Sequence, residues 1–253
     1  MFIIPKKIIL LFLLFFCIAQ FTRAQSSRSA TPEETKVILK EINVVSPIIS
    51  SFENDDWQSD YEPTDPQYFS VQTHPDVVMG TASYVGGHFT LRNGSDRYNK
   101  IAKPYLDKIA NNPPDANNQK QIDEYVKEGA KVQEMMNFYV EVEVNTKNLP
   151  VKPVKGGIND LKIPGIFFSY KEPDDGSDKT LHNADHGKNA YVLAFGNWGT
   201  AKFRDENYQF HFTHPLGTPD IENIVILIYG APDKVQEVLH NTNWKKINDG
   251  LTL

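Results

Sequence analysis

The sequence predicts an α+β fold in which N-terminal helices pack on a mainly antiparallel sheet and a C-terminal helix closes the chain. Three observations lead there. Helical spacing of apolar residues dominates about 31–136, strict alternation begins at Phe138, and the strands that follow arrive without helices between them. Successive strands favour hairpin pairing over alternating βαβ units. The stretch Ala190–Leu253 organises this reading, with expected strands at Ala190–Trp198, Thr200–Arg204, Asn207–Thr213 and Ile221–Tyr229, then a helical segment over Pro232–Leu251.

The elements follow in order. Thr31-Pro32-Glu33-Glu34 is a helix start: threonine caps, proline suits the first turn, and the acids face the positive helix end. Ile38, Ile42, Val45 and Ile49 continue at helical spacing, and Pro47 is expected to kink or end the helix near its last turn. Residues 52–75 form a long loop in which aromatic side chains, Trp57 and Tyr61 among them, are expected to pin the segment to the body. Tyr98–Asn111 is expected to be one helix bent at Pro104. Gln119–Met136 is the clearest helix, with Ile122, Tyr125, Val126, Gly129, Val132 and Met136 as its apolar stripe.

From Phe138 to Asn145 the period changes to two. Phe138, Val140, Val142 and Val144 face a core, and Glu141 and Glu143 share the opposite, solvated face. The helical part covers about 31–136 and the sheet part about 137–253, and Asn148–Gly157, rich in proline, glycine and lysine, is a connection that does not separate two domains. A strand is expected over Ile163–Tyr170, followed by a polar insertion over Lys171–Asn189. Ile224–Ile228 is apolar throughout, as a central strand buried on both faces requires.

The first 24 residues have the pattern of a secretory signal peptide. Lys6 and Lys7 precede an apolar run over Ile8–Ala19, and Thr22-Arg23-Ala24 places small residues for cleavage. The run is shorter than the ~20 residues that cross a bilayer. Residues 25–253 are therefore expected to form a single exported α+β domain, periplasmic or secreted, with no stable membrane insertion after cleavage. Lipid anchoring at Cys17 is not expected, because Phe15 and Phe16 are bulky where small residues should precede such a cysteine. Cys17 is the only cysteine, so the exported chain would have no disulfide, thiolate metal site or cysteine nucleophile. Removing three positive charges and no negative ones from a total of −6 leaves −9. Nucleic acid is excluded as an expected partner, since no cluster of lysine and arginine stands against that acidity.

Four of the seven histidines fall between positions 182 and 214. If the 171–189 insertion folds over the strand end near His211, then His182, Asp185, His186, His211 and His214 make a candidate metal set. Imidazole and carboxylate ligands suit zinc, and no other cofactor is expected. Asn183 stands where a zinc protease helix would carry glutamate, so the protease signature is absent. No nucleophile elbow or phosphate loop is present. Export without a catalytic signature points to a non-enzymatic binding or interaction module with a protein or other macromolecular partner. The alternatives are a metal-dependent hydrolase using the His/Asp cluster, and a carbohydrate-binding module presenting Trp57, Tyr61 or Trp198.

Overall fold

The computed structural model describes residues 27–59, 70–72, 85–146, 148–150, 161, 163–171, 190–200, 202–204, 207–213 and 220–251. Strand β1 (Ser27–Ser29) is followed by α1 (Pro32–Ser50). The expected start is built as a reciprocal cap: Glu34 N–H donates to Thr31 Oγ1, and Thr31 N–H donates to the Glu34 carboxylate at 2.8 Å. Pro47 lies in the last turn, and the helix ends three residues later. Strands β2 (Trp57–Ser59), β3 (Ser70–Gln72) and β4 (Val85–Leu91) come next.

The single bent helix expected over Tyr98–Asn111 is instead two helices, α2 (Asp96–Ile101) and α3 (Lys103–Asn111), meeting at Ala102. Pro104 has no N–H to continue the ladder from α2, and its ring is at home in the first turn of α3. Helix α4 (Gln119–Met136) has the bounds the periodicity gives, and runs directly into β5 (Asn137–Val144). The remaining elements are β6 (Asn148–Pro150), β7 (Phe168–Lys171), β8 (Tyr191–Gly196), β9 (Lys202–Arg204), β10 (Asn207–Gln209), β11 (Asn223–Gly230), α5 (Pro232–Asn241) and α6 (Lys245–Asn248). A strand over Ile163–Tyr170 was too long an expectation. Gly165 has φ +89°, which turns the chain, and pairing starts only at Phe168.

The fold is α+β. Six strands in the order β2-β4-β5-β11-β8-β7 form one sheet in which every neighbouring pair is antiparallel. A three-stranded sheet, β6-β10-β9, and a β1-β3 pair complete the described strands. Alternation decides which side chains go where. Phe138, Val140, Val142 and Val144 of β5 meet Ile224, Ile226 and Ile228 of β11 in one core that α1, α5 and α6 cover. Val225 and Leu227 of β11 point the other way, joining Val192 and Ala194 of β8 and the Leu149, Trp198 and Phe210 side chains. The central strand β11 is thus buried on both faces, which is why its sequence is apolar without alternation.

Candidate functional site

Of the predicted metal set, only His211 lies among the described residues. His182, Asp185, His186 and His214 lie outside them, and His211 is exposed just beyond β10. No group of three or more His, Cys, Asp or Glu side chains among the described residues is placed to hold a metal ion.

Two of the three rings named for carbohydrate contact are unavailable. Trp57 and Trp198 are each 1 % exposed, and Tyr61 lies outside the described residues. Trp198 donates its Nε1–H to Phe195 O at 3.0 Å and packs edge-on against Phe210. Trp57 does what an aromatic on a long loop most often does, pinning β2 to the core against Phe138. The Arg97 guanidinium and the Lys234 ammonium lie 5.6 and 5.9 Å from its ring centroid. Lys234 is 1 % exposed and donates to Glu237 at 2.7 Å, while Arg97 pairs with Asp233 at 3.3 Å. Trp57 Nε1 and Arg97 Nε are buried without hydrogen-bond partners, a cost this corner carries in exchange for packing two cations on one indole. This is a closed structural corner.

Glu141 and Glu143 were expected on a solvated face, and the structure corrects this for Glu141. Its side chain is buried at 8 % exposure and accepts the Tyr229 hydroxyl at 2.7 Å. Register explains the change. His88, Tyr139 and Tyr229 stand opposite one another on β4, β5 and β11, and their rings stack at 4.6 and 4.8 Å. The Tyr229 hydroxyl at one end of that ladder reaches Glu141, the next residue on the same face of β5. Glu143 is half-buried and accepts the Thr146 hydroxyl at 3.1 Å.

A further place with room for a ligand lies at the α5–α6 corner. Here the chain leaves α5 through Thr242 and Asn243 and turns at Trp244 into α6, while Leu161, Ile163 and Pro164 face it from the other side. Between them is an open cleft of about 390 Å³. Leu161, Ile163, Pro164 and Leu239 give it apolar walls, and His240, Thr242, Asn243 and Lys245 give it polar atoms. The volume lies within the ~300–1,000 Å³ of small-molecule sites, and the lining is about equally polar and apolar.

The walls are fixed from below. Trp244 donates its Nε1–H to Leu239 O at 3.0 Å, and its ring packs against Phe195 and Phe52 of the main core. The front wall is clamped by Gly165. A Cβ there would sit 2.9 Å from Lys245 Cγ and 3.0 Å from the Lys245 backbone, so glycine allows the two segments to touch. Asn248 Nδ2–H then donates to Gly165 O. The cleft is held by side chains that are themselves held, which is the condition for a preformed site.

Sequence reasoning did not find this cleft. Its two walls are about 80 positions apart, and none of its residues belongs to a chemical motif. Pro164-Gly165 fell inside the segment read as a strand over Ile163–Tyr170, and Thr242-Asn243 inside the one read as helical over Pro232–Leu251. No family model matches the chain, and no match is found among curated proteins or solved structures.

Proposed function

We propose that this chain is an exported, non-enzymatic binding protein whose ligand seat is the cleft between the 161–165 segment and the α5–α6 corner. The observation that carries the reading is the open volume of about 390 Å³ with apolar walls, braced by Trp244 and the Gly165–Lys245 contact. Strand addition at a sheet edge has less in its favour. The outer strands of the large sheet are β2, of three residues, and β7, of four, and short edge strands are a usual way of discouraging such pairing. Export rests on the N-terminal pattern. No described helix is long and apolar enough to cross a membrane.

The test is a ligand-observed NMR screen of small organic fragments on the purified protein and on an Asn243→Trp variant. Asn243 lines the cleft and is exposed, so a tryptophan there fills the space without entering the core. We expect fragments that bind the wild type and are lost in the variant at unchanged melting temperature. A wild type without hits, or hits indifferent to the filled cleft, would end this reading.

A further inference from the structure

We infer that the cleft takes an amphipathic carboxylate, an acid with an apolar body, and that Lys245 and His240 receive its carboxylate. This rests on the cleft being the ligand seat. The argument is one of charge and of what is already satisfied. The chain carries 32 Asp and Glu residues against 26 Lys and Arg, yet no carboxylate among the described residues lines the cleft. Its ionisable lining residues among those described are His240 and Lys245, whose charged forms are both cationic. No carboxylate among the described residues comes within ion-pair distance of Lys245, and its side chain is exposed.

A competing role for these two residues is to complement the negative C-terminal end of α5. Two of the terminal carbonyls of that helix are already spent elsewhere. Val238 O accepts the Thr242 N–H at 3.3 Å, and Leu239 O accepts the Trp244 indole. The helix end is thus partly capped from within the chain, leaving the lysine and histidine donors for an incoming group. Leu161, Ile163, Pro164 and Leu239 would surround the apolar body, and a charge-assisted hydrogen bond at the lip would fix its orientation.

Calorimetric titration with three probes of one length tests this: octanoate, 1-octanol and octylammonium. The wild type should bind octanoate at least about tenfold more tightly than 1-octanol, the range expected for one charge-assisted hydrogen bond at a partly wet site. Octylammonium should bind most weakly. Lys245→Met keeps the apolar stem and should erase the preference for octanoate, while Lys245→Arg should retain it. Because Lys245 is exposed, both variants should melt with the wild type. Equal binding of all three probes, or a preference that survives in Lys245→Met, would overturn the ligand class while leaving the cleft as a binding site. Fragment hits lost in Asn243→Trp with no octanoate binding would do the same. No octanoate binding and no hits at all would remove both proposals.

Discussion

Helices α1 and α4 are nearly equal in length, 19 and 18 residues, and follow the same spacing rule, yet they do different work. Helix α1 places Val45, Ile48 and Ile49 in the main core beneath the six-stranded sheet. Helix α4 fully buries only Tyr125 and leaves Val126, a member of its predicted stripe, 65 % exposed. The difference is in what faces each stripe. Opposite α1 lie β4, β5, β11 and the α5–α6 corner. Opposite α4 lie chiefly α2 and α3, which bury no residue of their own, and the start of β5. Periodicity says which side of a helix turns inward, but not how much protein waits there.

What joins α3 to α4 is correspondingly polar. The Tyr105 hydroxyl donates to Tyr125 O at 2.9 Å, and the Tyr125 hydroxyl donates to Asn112 O at 2.6 Å. Gly129 makes the approach feasible, since a Cβ there would meet Tyr105 Cζ at 3.0 Å. Lys108 lies 4.4 Å above the Tyr125 ring and pairs with Glu128.

The comparison is broken most directly at Ile49. Truncation to alanine should remove about 2–5 kcal/mol from global stability, read as a lower denaturation midpoint at unchanged m value. A loss under about 1 kcal/mol would mean that α1 is as peripheral as α4. Tyr125→Phe probes the other helix and should cost about 1 kcal/mol, the net value of one hydrogen bond. Its more telling readout is native-state hydrogen exchange. Amides of α3 and α4 should exchange faster while those of β11 keep their protection, because the flank opens below the global free energy. An equal loss of protection in β11 would show flank and sheet to be one cooperative unit.

The same distinction explains how much could be read from the sequence. Strands β5 and β11 were legible because each announces its own environment, alternation in β5 and an unbroken apolar run in β11 for two buried faces, whereas β2 lies inside the segment expected to be a long loop over 52–75. The start of α1 was legible because capping is local. Glu141 was misread because its environment is set by the His88–Tyr139–Tyr229 ladder, whose members are brought together only by register across three strands. The cleft was invisible for a related reason. Its walls meet through a glycine contact and an indole hydrogen bond between segments with no pattern in common.

The faintest expected effect sharpens the flank itself. Lys108 is held above the ordinary lysine range, first by its hydrogen bond to Glu128 and further by the charge of that carboxylate. A pKa raised on folding means that the folded chain holds the proton more tightly than the unfolded one. The contact therefore stabilises fully below the unfolded value, and its contribution fades as pH rises through the folded value. The pair is solvent-exposed, so its weight is small beside Ile49 or Tyr125. Wild type and Lys108→Met should accordingly differ in melting temperature by a small, constant amount from about pH 7 to 9 and converge only as pH rises through the raised folded value. High salt should shrink the neutral-pH difference as well, because an exposed pair is screened. A difference that stays unchanged as pH rises through the folded value would instead mean that Lys108 acts through its aliphatic stem, which does not titrate, and the flank would then be held by packing after all.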